Sequence, residues 1–123
     1  MKLLNIDKLR KISTPKPGER FNERVVGEND KSKRVQITVH VVPPEAEVEA
    51  YHYHKDSEQV MLILSGQGKE IDEGKEYPLK PNDIFYLPAN EKHTIQNTGK
   101  TDLKYLSINI SADVKAPRDF FKV

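Results

Sequence analysis

The stretch RVQITVHVV at 34–42 alternates apolar and polar residues with a period of two and then stops at Pro43 and Pro44. Val35, Ile37, Val39 and Val41 fall on one face of an extended chain, and Gln36, Thr38 and His40 on the other. A helical period would scatter the two sets, so the stretch reads as a strand with one buried face, ended by two prolines that cannot donate to a ladder. The same period recurs in EVEAYHYH (47–54), QVMLILSG (59–66), GKEI (68–71), EYPL (76–79), DIFYLP (83–88), HTIQN (93–97) and LKYLSINI (103–110). Turn clusters separate the runs roughly every eight to twelve residues: DEGK (72–75), KPND (80–83), PANE (88–91) and NTGKTD (97–102). Many short strands at that spacing fold as a sandwich or a barrel. Only NIDKLRKI (5–12), with Ile6, Leu9 and Ile12 at helical spacing, could be helical, so at most a short N-terminal helix is expected, and STPKPGERFNE (13–23) reads as an irregular arm.

Length and charge narrow the function classes. A chain of 123 residues is long enough for one core and too short for two. Its 20 basic and 19 acidic residues are interspersed and leave a net charge of +1, which argues against nucleic acid or an anionic membrane as partner. There is no cysteine, so disulfides, thiolate metal sites and cysteine nucleophiles are excluded together, and any metal must be held by nitrogen and oxygen. The start, MKLLNIDKLRKIS, lacks an uninterrupted apolar core, and no run approaches the ~20 residues of a membrane span, so a cytoplasmic location is expected. No phosphate-cradling glycine loop or Ser, His and Asp arrangement is present.

Four histidines then carry the chemistry. Residues two apart on a strand point the same way, so His52 and His54 project side by side. His93 follows a turn at the start of another strand, and a barrel can bring it to the same point. Imidazole suits Zn, Fe, Ni, Cu and Mn, and an oxygen ligand beside three of them leaves coordination positions open.

The stretch from Ala46 to Asn97 resembles the cupin superfamily of small jelly-roll barrels. Their first motif, G…H-x-H…E…G, is met by Ala46, His52, His54, Gln59 and Gly66; their second, G…P-x-G…H…N, by Asn82, Pro88, Asn90, His93 and Asn97, with every spacing kept. The interval 67–81 is short, as in small microbial cupins. Asparagine tolerates positive φ, so Asn82 and Asn90 can replace the motif glycines, whereas Ala46 implies a different turn after the prolines. The resemblance implies an all-β, single-domain antiparallel jelly-roll β-barrel: helix or arm and first strand at 1–33, barrel core at 34–111, and a tail at 112–123 whose Phe120 and Phe121 dock on the body or a neighbour. It implies one divalent transition-metal ion, Zn, Fe, Ni or Mn, held by His52, His54, Gln59 and His93. Glu58 is the alternative ligand if a bulge precedes Val60, since neighbours on a regular strand face opposite ways. Three imidazoles and an amide leave the ion its full charge and make it the stronger Lewis acid.

Parity from Gln59 and His93 sends Met61, Ile63, Ile95 and Asn97 inward, giving a mostly apolar pocket. His40 is either a cavity-lining acid or base, or a solvent-facing or interface residue. Tyr51 and Tyr53 point away from the ligands, Tyr86 and Tyr105 line the barrel or an interface, Glu91 and Lys92 are solvated, and Asp113 to Arg118 are candidates to close the mouth. Three functions are consistent with this: a Lewis-acid isomerase or tautomerase of a sugar or keto acid; a metal-dependent dioxygenase of the quercetin or acireductone kind, whose relatives mostly carry Glu at the Gln59 position; and a non-enzymatic small-molecule-binding module. The expected partners are a small molecule and a second copy of the chain, the N-terminal arm being a candidate to cross over.

Overall fold

The structure is a computed structural model that describes residues 1–8, 20–44, 46 and 49–123. Among the described residues, ten strands run β1 (Phe21–Val26), β2 (Val35–Val42), β3 (His52–Tyr53), β4 (Glu58–Ser65), β5 (Gly68–Asp72), β6 (Lys75–Leu79), β7 (Ile84–Leu87), β8 (His93–Asn97), β9 (Leu103–Ile110) and β10 (Phe121–Lys122). They form two five-stranded antiparallel sheets, ordered β1-β2-β9-β4-β7 and β10-β3-β8-β5-β6. This is the antiparallel jelly-roll barrel expected of the motifs.

Turn chemistry sets the register. Asn82 and Asn90 hold φ of 73° and 70°, as replacements for the motif glycines should. Gly66 has φ of 86°, and a Cβ there would meet the Asp102 carbonyl at 2.3 Å, so this position admits only glycine. Ala46 solves its turn differently, donating its N–H to the Pro43 carbonyl at 3.1 Å.

Inward residues of β4 and β9 join Val42, Leu79, Leu87 and Ile95 in one core, where Ile63 and Leu103 are wholly buried and Tyr105 nearly so. In the run 5–12 the described residues show a 3-10 turn at Ile6–Lys8, no more than the short helix expected there; Leu9 and Ile12 lie outside the described residues. Three expectations need correction. The segment read as an arm contributes Phe21, Asn22 and Glu23 to β1, because β2 offers FNERVV a partner from Phe21↔Val41 onward. Of 47–54, the described residues show strand only at His52–Tyr53, paired to β8 at the single position His52↔His93; Glu47 and Val48 lie outside the described residues. Lastly, β2 faces the opposite way from its apolar pattern: Gln36, Thr38, His40 and Val42 look into the barrel, and on the other face Val35, Ile37 and Val41 are half-buried and Val39 is buried. The reason is that this end of the barrel encloses a polar cavity rather than core. Among the described residues, no helix is long and apolar enough to cross a membrane.

Candidate metal centre

The cavity holds about 710 Å³ and is walled by both sheets and by the segment 111–120. His52 and His54 enter it from β3 and the residue after it, and His93 from the first position of β8. One ring nitrogen from each lies within 4.8 Å of the others.

What fixes the rings is the opposite nitrogen. His52 Nδ1 lies 2.6 Å from the Ala50 carbonyl, and His54 Nδ1 lies 2.5 Å from the Asp119 carbonyl. A carbonyl only accepts, so both rings carry the proton on Nδ1 and turn the Nε2 lone pair to the interior. His93 Nδ1 lies 2.8 Å from Glu70 Oε1. Burial, with Asp72 and Glu49 nearby, pushes Glu70 up to about 9, so at neutral pH its hydroxyl donates to Nδ1 and His93 keeps its proton on Nε2. That nitrogen is 3.4 Å from His54 Nε2, which accepts it. If His52, His54 and His93 held a cation, it would take the place of this proton, and Glu70 as a carboxylate would accept from His93 Nδ1–H and hold the ring. Burial lowers all three imidazoles, His52 to about 4, so they are neutral and ready to ligate near pH 7.

Gln59 lines the same cavity from β4. Its Nε2 donates to Asn109 Oδ1 at 3.0 Å across the register pair Gln59↔Asn109, which leaves its buried Oε1 without a partner. A buried amide oxygen with no donor is costly unless something electropositive faces it. Three neutral imidazoles and this orphaned oxygen fit a divalent cation. Glu58 lies elsewhere: it is exposed, its carboxylate accepts from the Tyr86 hydroxyl, and the ladder runs Glu58↔Ile110, Gln59↔Asn109, Val60↔Ile108 with no bulge.

The pocket is more polar than parity from Gln59 and His93 implies. Met61 and Ile95 line it, but Ile63 sits in the core, and Asn97 donates to the Val42 and Thr101 carbonyls to shape a turn. His40 lines the cavity, stacked on Tyr105 at 4.6 Å with its Nε2 3.0 Å from Ser107 Oγ. Burial, with Arg20 and Arg24 adding to it, lowers His40 to about 4. Tyr51 and Tyr53 stand outside, Tyr51 accepting from the Gly74 N–H and Tyr53 stacked on Phe121. Glu91, beside Asp72, is pushed up to about 7, and the Lys92 N–H donates to Glu73. Asp113, Val114 and Arg118 do line the mouth.

Sequence reasoning missed Glu70, Asn109, Ser107 and Asp119. Parity along LKYLSINI reveals two of these once Leu103 is known to face inward, since Ser107 and Asn109 share its face. Glu70 and Asp119 left no local signal.

Comparison with known proteins identifies the fold family. The profile of the cupin domain matches residues 38–109. The oxalate-binding protein of Thermotoga maritima is 38% identical over 69 residues, 56% of this chain and 56% of that protein. The alignment with an uncharacterized Methanocaldococcus jannaschii protein, 34% identical, covers 44% of that protein, so this chain spans about half the length of the curated relatives it matches. Among solved structures, a predicted oxalate decarboxylase of Thermotoga maritima superposes with a TM-score of 0.69 at 30% identity, covering 76% of this chain and 82% of that one. A putative sugar phosphate isomerase of Acidithiobacillus ferrooxidans gives 0.66 at 29%, covering 74% and 58%. The chain belongs to the cupin domain family.

Proposed function

We propose that this cupin binds one divalent transition-metal ion, Zn, Fe, Ni or Mn, through His52, His54, Gln59 and His93, and isomerises or tautomerises a small oxygenated molecule, a sugar or keto acid. The observation that carries the reading is the convergence of three neutral imidazoles within 4.8 Å, two buried and His54 half-buried, beside an amide oxygen that has no other partner. When bound, the ion supplies Lewis acidity to a carbonyl or hydroxyl oxygen. The chain's own residues do the rest. His40, neutral and braced by Ser107 and Tyr105, is an acid–base group that the cavity offers outside the trio. Met61 and Ile95 exclude water from one side of the substrate.

Elemental analysis of protein purified without chelators tests this, with about one ion per chain expected. Gln59→Ala should lower occupancy sharply and Glu58→Ala leave it unchanged; the reverse result moves the ligand to Glu58. Oxygen uptake with a candidate enol, compared under air and nitrogen, separates isomerisation from a dioxygenase. A second reading, binding without turnover, is favoured by the name of the oxalate-binding relative, and a ligand recovered unaltered after incubation supports it.

We also propose a homodimer through the outer face of the β1-β2-β9-β4-β7 sheet. Val35, Ile37, Val60, Leu62 and Ile108 lie half-buried there, and Ile84 (68% exposed) and Tyr86 (55%) stand in the open, an apolar surface of the kind a second copy covers. Light scattering should give twice the chain mass.

A further inference from the structure

The three candidate ligand histidines are oriented through Nδ1 by partners at three different distances along the chain. His52 uses a carbonyl two residues away, Ala50, and His93 uses the carboxyl of Glu70 on the neighbouring strand. His54 uses a carbonyl 65 residues away, that of Asp119, which belongs to no strand. A carbonyl in irregular chain orients a ring only if something else holds it still.

Here the same residue holds itself. The Asp119 carboxylate accepts from the N–H groups of Lys55 and Asp56, each at 2.7 Å, and from the Ser57 hydroxyl at 3.0 Å. Asp119 thus grips the turn that leaves His54 from both sides, carbonyl on the ring and carboxylate on the next three residues. That turn runs directly into Glu58 and Gln59. Burial works to raise the Asp119 carboxyl, yet the hydrogen bonds hold it below the usual carboxylate range, so the grip is made by an anion at neutral pH. The following residue continues the contact: the Phe120 ring stacks on His52 at 4.2 Å between centroids, before β10 pairs with β3.

We propose that Asp119 is a positioning residue of this centre: its carbonyl sets the tautomer of His54, and its carboxylate keeps that carbonyl in place. Without it the ring is free to carry its proton on Nε2, which closes the lone pair that faces His93. A tie with a merely structural role would need the carboxylate but not a carbonyl aimed at a ring nitrogen.

The test uses the full chain carrying Asp119→Ala, with Asp119→Asn as the milder variant in case the first does not fold. Imidazole nitrogen NMR shifts at pH 7.5 need no metal. In the wild type His54 should appear as the fixed Nδ1–H form; in Asp119→Ala its two nitrogens should average, while His52 stays fixed. Asn, which keeps one acceptor oxygen, should fall between. Unchanged His54 shifts in the variant, or His52 and His54 loosening together, overturn the proposal. The second readout rests on the metal reading: zinc titration should show affinity about tenfold weaker in Asp119→Ala, as for other residues that orient a ligand. Equal affinity overturns the metal part of the proposal. If the wild type takes up no zinc, nickel, iron or manganese, the metal reading falls, and the tautomer measurement still decides the role of Asp119.

Discussion

Along β4 the inward side chains run Gln59, Met61, Ile63; along β9, read in the opposite direction, Asn109, Ser107, Tyr105, Leu103; along β2, Gln36, Thr38, His40, Val42. The registers align these into rows: Gln59, Asn109 and Gln36 at one end, Ile63, Tyr105 and His40 further in, Leu103 and Val42 at the other end. One end is therefore a polar cavity and the other a dry core, although the same strands build both. Stability and chemistry are separated along the strands rather than between the sheets, so substitutions a few residues apart on one strand should have different kinds of effect.

The largest effect is expected at the dry end. Ile63→Ala and Leu103→Ala each empty a fully buried site and should cost about 2–5 kcal/mol in denaturant melts. Metal content per folded molecule should not change; a loss of metal in step with stability would mean the two ends are not separate. Next comes the ion itself. At a free concentration a hundred times Kd, binding to the folded state alone should add about 2.7 kcal/mol, removable by chelator. In His93→Ala the chelator should make no difference to the thermal midpoint. A wild-type midpoint indifferent to chelator would leave the polar end with no ion-linked stability.

A smaller, graded effect should follow from pH in chelated protein. His40 and His52 fall to about 4 in the folded state, against an ordinary 6.5 in the unfolded chain. As pH drops below about 6.5 the unfolded state takes up these protons first. These histidines make stability decline as pH falls between about 6.5 and 4, whereas Glu70, raised to about 9, makes it decline as pH rises toward 9, so stability should be greatest near pH 6.5. His40→Gln should make the acid-side decline shallower; an unchanged slope would show that His40 does not titrate with folding. The smallest effect belongs to the outside: Glu58→Ala removes an exposed contact with Tyr86 and should change stability by no more than about 0.5 kcal/mol.

How much of this was legible in the sequence depends on how local the cause is. Turn chemistry is local, and Asn82 and Asn90 sit at positive φ as their motif positions require. The His-x-His pair is also local, and His93 was found through a spaced motif. The pocket was less legible, because alternation says which residues share a face but not which face looks inward. In β2 the apolar set was the natural choice for the interior, yet the cavity takes Thr38 and His40. Glu70 and Asp119 could not be read at all: one depends on the pairing of β5 with β8, the other on a contact across 65 residues.

The Asp119 contact also bears on the order of events in folding. Closing the chain between residues 54 and 119 carries a loop entropy that only the assembled barrel can offset, and contacts of such long range form late. His54 therefore acquires its orientation after the sheets have paired. An ion held by all three imidazoles would bind only to a finished barrel, so it should slow unfolding while leaving the folding rate in water unchanged.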